Sequence, residues 1–511
     1  MNKLIEAPER NSQISSERPD AAGQSAFEPT FRDPAGQLRL TQTHALRRIH
    51  ASAVDETLAF LDSPLRAALE HSGDLIPTDI ARPEALPSML AELDAQPGEL
   101  WLQHPRIDPI SYPWEWTTLQ WQAAAALTLR LAGQAIDAGW TLKDATPLNI
   151  LFAGTRPVLV DVLSFERRDL NSSVWLAYGQ FVRTFLLPLV AEKFLSWPLQ
   201  ATLFSRDGYE PSAIFRALRP WQRLYPDLLD VVTLATLFEN KGGKPPKPGA
   251  RTLPSASDPE LAAHILHKRI ARLGKQVRRL ARPERSSRWS GYTQSASHYS
   301  GEDTKNKQQF LRTVLERCRS GWVLGRVLDI GANTGTYSLM AAEASAEVVA
   351  LDSDTAAIDT LWRTASQQGW PITALVANIA RPTPAAGWRN REQLSLLDRL
   401  TGKFDLVLML AVIHHLILRE QVPLEHIGSL CASLTRRWLV LEWVPPSDPM
   451  YQEWLRGRED LYGNLSENDL MRAFDTHFHV VERTVLGNNR VLFLFELHQD
   501  SLYSSEMSPT G

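Results

Sequence analysis

The stretch Arg326–Ser338, RVLDIGANTGTYS, decides the fold of this 511-residue chain. An apolar run ends on Asp329, and a turn with Gly331, Asn333 and Gly335 leads into helix-forming residues. The pattern predicts a strand, a tight turn and a helix. Glycine, and to a lesser degree asparagine, lets the backbone take a positive φ or approach a ligand closely. The turn therefore either receives a ligand or simply joins the two elements.

Two nucleotide-type ligands suit such a turn. The dinucleotide fingerprint G-x-G-x-x-G requires glycine where this chain has Asn333 and Thr336, so it fails at two positions. The pattern D-x-G-x-N-x-G instead resembles motif I of the class I S-adenosylmethionine (SAM) methyltransferases. The resemblance implies SAM as the cofactor. Its carboxylate would lie near the turn amides and the helix N-terminus, and its ammonium near an acceptor such as Asp329 or nearby carbonyls.

Alternating strands and helices follow the turn. A second apolar strand ends on Asp352, a third ends at Asn378, a fourth runs into the sequence AVIHHL, and a fifth ends at Glu442. A last helix and two closely spaced strands, around Val480 and Val491, complete the series. This alternation predicts an α/β fold with a doubly wound parallel sheet. The methyltransferase resemblance implies a seven-stranded, Rossmann-like sheet whose final pair of strands forms an antiparallel edge.

The same resemblance assigns cofactor roles to side chains at the strand ends. Asp352 is placed to accept hydrogen bonds from both ribose hydroxyls, and Asn378 to face the adenine amino group. Tyr299, which precedes the motif, is expected either to cover the cofactor near its sulfonium or to pack in the core. The expected cofactor-binding residues are Asp329, Gly331, Ala332, Asn333, Gly335, Asp352, Ser353, Asn378, Ile379, Leu410 and Tyr299.

The methyl acceptor is expected beyond the fourth strand, at AVIHHL. His414 and His415 are the titratable groups there that suit neutral pH. We expect His415 to act as a general base or to orient the acceptor, although His414 has an equal claim, and either side chain could instead pack or cap. Glu442 and Trp443 are further candidates for the acceptor pocket. The signature of amino-methylating enzymes, Pro-Pro-Tyr or Pro-Pro-Phe after the fourth strand, is absent. Its absence disfavours the exocyclic amines of nucleobases as acceptors and leaves O-, C- or other N-methylation open.

A second informative stretch, TLKDATPLNILFAGTRPVLVDVLSF, starts at Thr141. Asp144, Asn149 and Asp161 have the spacing of the catalytic loop and metal-binding segment of protein kinases and aminoglycoside phosphotransferases, which the stretch resembles. The resemblance implies a kinase-like lobe with Asp144 as the base and Asn149 and Asp161 as candidate metal ligands. The alternative is that these residues only form turns and caps.

The N-terminal half also departs from a working kinase. A phosphoryl transferase needs a phosphate cradle and a lysine on the nucleotide phosphates. Before Lys143 the only lysine is Lys3, and the glycines there are isolated. An arginine, for example Arg106, would have to substitute. We therefore expect the polar loop to serve another ligand or the structure. No metal is expected at the methyl-transfer site.

The two halves together resemble a bacterial group of predicted methyltransferases, the NoeA-like host-specific nodulation proteins. The stretches YPWEW, LKDATPLN and SFE, followed by the SAM domain, carry this resemblance. Short helical patterns appear between Leu38 and Leu93. The expected organisation is a disordered head (1–37), a mainly helical kinase-like domain (38–238), a linker and basic helix (239–288), a SAM-dependent methyltransferase domain (289–497) and a disordered tail (498–511).

The basic helix is the one feature that suggests nucleic acid. Residues 266–280 combine an apolar stripe with six lysines and arginines between Lys268 and Arg279. A solvated face docked against a domain is the favoured interpretation, and an RNA- or phosphate-binding helix is the alternative. An RNA-binding scaffold and a phosphotransferase with a regulatory SAM fold therefore remain alternatives to a methyltransferase.

Composition sets the remaining bounds. The net charge is −4, so the whole chain makes no case for nucleic acid. The two cysteines are too few for a disulfide framework and indicate a cytoplasmic protein. No run of about 18 apolar residues occurs, so no membrane association is expected. The predicted partner is a small-molecule or macromolecular methyl acceptor.

Overall fold

The computed structural model describes residues 33–41, 43–81, 99–240, 258–280, 301–321, 324–456 and 463–498. Most of the predicted head, most of the predicted linker, nearly all of the predicted tail, and Tyr299 lie outside these ranges. Within the described ranges, no helix is both long enough and apolar enough to cross a membrane.

The N-terminal half begins with a four-stranded antiparallel sheet. Its strands are β1 (Gly36–Leu40), β2 (His44–Ile49), β3 (Asp79–Ala81) and β4 (Leu100–Pro105), in the spatial order β1-β2-β4-β3. Helices α1 (Val54–Leu61) and α2 (Pro64–Ser72) follow β2. The prediction of short helices from Leu38 onward is wrong up to Ile49, because Leu38, Arg39 and Leu40 alternate with the period of two that suits a strand.

Helices dominate the rest of the N-terminal half. The first of them is α3 (Thr118–Asp137). Its N-terminus is capped by a reciprocal pair of hydrogen bonds between Thr117 and Gln120. Two hairpin-like pairs follow it, and then further helices. These elements are β5 (Trp140–Leu142), β6 (Ile150–Ala153), β7 (Arg156–Leu159), β8 (Phe165–Arg167), α4 (Tyr178–Phe181), α5 (Leu187–Val190), α6 (Pro211–Ala217), α7 (Ala235–Asn240) and α8 (Pro259–Leu280). Strand β5 pairs with β8, and β6 with β7.

A seven-stranded sheet forms the centre of the C-terminal half, as predicted. Its strands are β9 (Arg326–Ile330), β10 (Glu347–Asp352), β11 (Ile372–Val376), β12 (Phe404–Met409), β13 (Thr435–Trp443), β14 (Phe478–Val485) and β15 (Val491–Leu497). The spatial order is β11-β10-β9-β12-β13-β15-β14, with β9 to β13 parallel and β15 antiparallel to both neighbours. The order reverses at β9, so its end and that of β12 flank the crevice where doubly wound sheets bind ligands.

The helices of this half cover both faces of the sheet. They are α9 (Gly301–Gly321), α10 (Thr336–Glu343), α11 (Thr355–Gln368), α12 (Leu396–Leu400), α13 (Ile413–Leu418), α14 (Leu424–Leu434), α15 (Pro449–Leu455) and α16 (Glu467–Asp475). Two separate apolar clusters lie on the two faces. The central strands are buried throughout, which is why they read as continuous apolar runs in the sequence.

Buried polar contacts join the two halves. Glu115 forms an ion pair with Arg399, and both side chains are almost fully buried. The Gln120 side-chain amide donates to the Ala374 carbonyl at 3.0 Å, and the Leu119 amide donates to the Asp359 carboxylate at 3.3 Å. Because polar groups are costly to bury without partners, these contacts make the packing between the halves specific.

Candidate active site

The turn after β9 has the backbone that its residues predict. Gly331, Asn333 and Gly335 have φ values of +77°, +49° and +89°. A Cβ on Gly331 would collide with Val412, and one on Gly335 with Leu361. Both glycines are therefore required by the left-handed backbone and by close neighbours.

Asp352 closes the turn from the neighbouring strand. Its Oδ2 accepts a hydrogen bond from the Asn333 amide at 2.9 Å, and its Oδ1 accepts one from the Asp354 amide at 2.9 Å. Burial raises the pKa of this carboxyl above its ordinary value. The Ser353 backbone also donates to this carboxylate. A carboxylate has about four lone-pair sites, so Asp352 can still accept a hydrogen bond from a ligand.

A cavity of about 540 Å³ lies above this turn. Its size suits a small-molecule cofactor, since ligand pockets measure about 300–1,000 Å³. Most of the residues predicted from the sequence line it. These are Gly331, Ala332, Asn333, Asp352, Ser353, Asn378, Ile379, Leu410, His414 and His415.

Two predicted residues support the cavity from outside its wall. Asp329 is buried beneath the turn, where its carboxylate accepts a hydrogen bond from the Ser338 hydroxyl at 2.6 Å. Burial raises the pKa of Asp329 to about 6, and the nearby Asp352 adds to the shift. Gly335 caps the N-terminus of α10. Asp329 thus positions the turn rather than lining the cavity.

The turn also leaves a buried acceptor unsatisfied. Asn333 Oδ1 is buried and has no hydrogen-bond partner among the described residues, and Asn333 lines the cavity. A buried polar atom without a partner costs free energy, so a donor supplied by a ligand would stabilise this site. The ammonium of an amino acid is such a donor.

The two histidines line the same cavity, and their rings are in contact at a tilt. Their ring centroids are 4.1 Å apart, and the His415 ring lies edge-on to Trp454 at 4.4 Å. Burial lowers the pKa of His415 to about 4, and the pKa of His414 falls well below its ordinary value. Both rings are therefore neutral at physiological pH. This burial runs against the expectation that the two rings titrate near neutral pH. A neutral imidazole can still orient an acceptor through a hydrogen bond.

A buried charge cluster beside the cavity was missed from the sequence. Lys307 on α9 lines the cavity, and its ammonium contacts Glu442 at 2.6 Å. Arg490 contacts Glu442 at 3.3 Å and Asp448 at 2.7 Å. The four residues come from separate elements, and no local pattern brings them together.

Glu442 and Trp443 are the further candidates for the acceptor pocket. Glu442 is fully buried and contacts Lys307, which lines the cavity. Trp443 is buried in the apolar cluster on one face of the sheet. Neither is among the described residues that line the cavity, and their role in an acceptor pocket stays a prediction.

A second cavity, of about 780 Å³, lies in the N-terminal half. Asp144, Asn149 and Asp161 all line it, so the kinase-like spacing does bring these side chains together. The partner of Asp161 is Arg47, whose guanidinium contacts it at 2.6 Å. Arg106, the substitute considered from the sequence, also lines the cavity but bonds the Thr41 carbonyl instead.

The basic helix α8 docks by its apolar stripe. The stripe is buried in the N-terminal core and consists of Leu266, Ile270, Leu273, Val277 and Leu280. On its polar side, Arg272 contacts Asp230 at 2.8 Å and Arg279 contacts Asp227 at 3.0 Å. These pairs neutralise part of the basic face, as the docked interpretation expects.

Comparisons with known proteins agree with the C-terminal fold. Residues 328–433 match the family model described as a methyltransferase domain. The nodulation protein NoeA of Rhizobium meliloti strain 1021 is 28% identical over 476 residues, which is 91% of this chain and 95% of that protein.

Two kinds of solved structure are similar to parts of the chain. Magnesium protoporphyrin IX methyltransferase (ChlM) from Synechocystis PCC 6803 with bound SAH is 18% identical and covers 41% of this chain and 97% of its own, with a TM-score of 0.29. The bifunctional kinase-methyltransferase WbdD is 20% identical and covers 37% of this chain and 39% of its own, with a TM-score of 0.28. Residues 328–433 are thus similar to a methyltransferase domain, and the chain is similar over nearly its whole length to the nodulation protein NoeA.

Proposed function

We propose that this protein transfers the methyl group of SAM to an acceptor bound beside the 540 Å³ cavity. The observation that carries the proposal is the hydrogen bond between Asp352 and the Asn333 amide, which holds an acidic strand end against a glycine-containing turn. When bound, SAM supplies an electrophilic methyl group on a sulfonium. The protein then has to align the reactants and exclude water.

The lining residues suit each part of this cofactor. Asp352 lines the cavity and would accept hydrogen bonds from the ribose hydroxyls, and the amides around Gly331 and the start of α10 would suit the carboxylate. Asn333 Oδ1 offers the unsatisfied acceptor for an ammonium. Asn378 and Ile379 follow the end of β11 and line the cavity, where they would contact the adenine.

His414 and His415 are the proposed acceptor-side residues. A neutral imidazole can hold an acceptor by a hydrogen bond, and it can take a proton only weakly when its pKa is near 4. This favours acceptors that need orientation more than deprotonation. Oxygen, carbon and nitrogen acceptors, in small molecules or macromolecules, remain the candidates. We assign no metal to this site.

The alternative functions have less support. A phosphotransferase would need Asp161 to bind metal, yet Asp161 contacts Arg47. An RNA-binding scaffold would need a free basic helix, yet two arginines of α8 pair with acidic residues. We propose a cytoplasmic enzyme without membrane association, with the N-terminal half as an accessory lobe.

Transfer of a labelled methyl group tests the proposal. The protein and methyl-tritiated SAM are incubated with small-molecule and macromolecular fractions of a bacterial extract. We expect label in one fraction with the wild-type protein and little with Asp352→Ala. Asp475→Ala, at the exposed end of α16, is the matched control and should match the wild type. Equal labelling by Asp352→Ala and the wild type would contradict the proposal.

A further inference from the structure

The methyl transfer proposed above sets a chemical condition on its acceptor. An acceptor with a proton on its reactive atom, such as an alcohol or a protonated amine, needs a group in the cavity that removes this proton. Such a base works best when its pKa lies near the operating pH. The titratable side chains of the cavity wall therefore restrict the acceptor. Besides Asp352 and the two histidines, they are Lys307, Tyr337, Arg419 and Glu420.

The nitrogen and phenol groups in this set are poorly suited to remove a proton near pH 7. The pKa of His415 is lowered to about 4, and that of His414 lies well below its ordinary value, so a protonated imidazole is unfavourable at either position. Burial raises the pKa of Tyr337, which keeps its hydroxyl protonated. The ammonium of Lys307 is paired with Glu442 at 2.6 Å.

The two carboxylates of the cavity wall are engaged elsewhere. Asp352 accepts hydrogen bonds from the Asn333 and Asp354 amides and would bind the ribose. Glu420 Oε2 accepts a hydrogen bond from Arg381 Nε at 2.9 Å and lies 2.9 Å from Nη2 of the same guanidinium. The acceptor should therefore reach the cavity with no proton on its reactive atom.

An arginine places a positive charge beside the histidines. Arg419 lines the cavity, and no ion pair of its side chain occurs among the described residues. It lies four positions after His415, so the two side chains project from neighbouring turns of the chain. Arg419 and Arg490 both help burial to lower the pKa of His415, as cations near the ring do. The sulfonium of bound SAM would add a further positive charge, which favours an anionic acceptor.

His414 holds a buried atom that a ligand could satisfy. The residue lines the cavity and is only 3% exposed. Its Nδ1 is buried and has no hydrogen-bond partner among the described residues. A buried polar atom without a partner costs free energy. Either nitrogen of a neutral imidazole can carry the proton. With the proton on Nδ1, an oxygen of the ligand would accept a hydrogen bond there.

We propose that the acceptor is a carboxylate, which the protein converts to its methyl ester. One carboxylate oxygen would attack the methyl carbon while the bond from that carbon to sulfur breaks, and the electron pair of the broken bond stays on sulfur. No proton moves in this step, so no base is needed. Arg419 would hold the carboxylate, because a guanidinium matches its two oxygens. A phosphate monoester brings about −1.5 to −2 charges and suits a single arginine less well.

The chemical stability of the transferred methyl group tests this inference. Wild-type protein and methyl-tritiated SAM are incubated with fractions of a bacterial extract, and the labelled product is separated from SAM and treated with strong base. Carboxyl methyl esters hydrolyse and release volatile methanol, whereas methyl ethers, methylamines and methyl phosphates keep the label. We expect nearly all of the label to become volatile.

The outcomes separate this inference from the proposed function on which it rests. Label that stays in the product after base treatment would overturn the carboxylate acceptor and leave the methyltransferase standing. No label in any fraction would contradict the methyltransferase and the carboxylate acceptor together.

The variant Arg419→Gln tests the binding residue. We expect the apparent KM, measured as the amount of the active fraction that gives half-maximal labelling, to rise by at least about threefold with kcat nearly unchanged, since an exposed arginine is partly screened by water. Arg419→Lys keeps the charge and should lose less. Arg472→Gln, on the exposed face of α16, is the matched control and should behave as the wild type.

Two further measurements exclude a merely structural effect of Arg419→Gln. The melting temperature shows whether the variant folds, and calorimetry should give it the SAM affinity of the wild type. A fall in SAM affinity, or an unchanged apparent KM in the folded variant, would overturn the inference.

Discussion

The Asp352 carboxylate and the Asn333 backbone amide are joined by a 2.9 Å hydrogen bond across the ends of two parallel strands. This bond fixes the strand-end acid beside the turn, and Asp352 and Asn333 line the same cavity. Side chains separated by 19 residues thereby become one binding surface. The predictions below follow from this arrangement and from the burial around it.

The glycine of the turn should not tolerate a methyl group. We expect Gly331→Ala to weaken SAM binding by at least about tenfold, because the alanine is strained at φ +77° and its Cβ collides with Val412. Gly369→Ala is the matched control, since Gly369 has φ +69° and open space around its Cβ. The control should lose about 1 kcal/mol of stability and no SAM affinity. Equal SAM affinity in the two variants would show that the turn does not shape the site.

The histidines should stay neutral across the physiological range. Burial is the largest cause of the low pKa of His415, and Arg419 and Arg490 add to it, while His415, Arg490 and Lys307 act on His414. NMR of histidine-labelled protein, assigned with His414→Gln and His415→Gln, should show two rings that do not titrate between pH 8 and about 5. A midpoint near 6.5 for either ring would contradict this burial.

The same burial makes stability depend on pH. The folded pKa of His415 lies below the unfolded value, so its contribution is present above pH 6.5 and is lost as the pH falls toward about 4. The interval from 6.5 to about 4 corresponds to about 3 kcal/mol. The melting temperature of the wild type should therefore fall more steeply on acidification than that of His415→Gln. Parallel curves for the two proteins would rule this out.

Asp329 should show the opposite dependence. Its folded pKa of about 6 lies above its ordinary 3.8, so its contribution is fully present below pH 3.8 and is lost as the pH rises through about 6. The substitution Asp329→Asn introduces a side-chain amide that can keep the hydrogen bond from Ser338 without a buried charge. We expect the melting temperature of the variant, relative to that of the wild type, to rise between pH 4 and 6 and to stay constant above pH 6. A difference in melting temperature that is the same at every pH would disprove the raised pKa.

The ion pair between the halves should be strongly coupled. Removing one partner of a buried pair leaves an uncompensated charge and costs about 3–5 kcal/mol. Glu115→Leu and Arg399→Met should therefore each lower the melting temperature markedly, and the double variant should lose less than the two single losses combined. Strictly additive losses would mean that the pair does not hold the halves together.

The C-terminal fold could be predicted because its signals are local. Each parallel strand is a largely buried apolar run. The helix Thr355–Gln368 begins and ends where its cap residues predict. The N-terminal sheet was missed because its hairpin carries Arg39, Arg47 and Arg48. In the sequence these arginines resemble the polar face of a helix. The pairing of Arg47 with Asp161 spans 114 residues, and that of Lys307 with Glu442 spans 135. No sequence period indicates contacts of that range.

The most direct test of the central claim is calorimetry of SAM binding to the full chain and to Asp352→Ala. The account predicts saturable binding to the wild type, weakened by about 10- to 100-fold in Asp352→Ala, because hydrogen bonds to a charged group contribute about 1.5–3 kcal/mol. Asp475→Ala should bind as the wild type does. Failure of the wild type to bind SAM, or undiminished binding by a folded Asp352→Ala, would contradict the account.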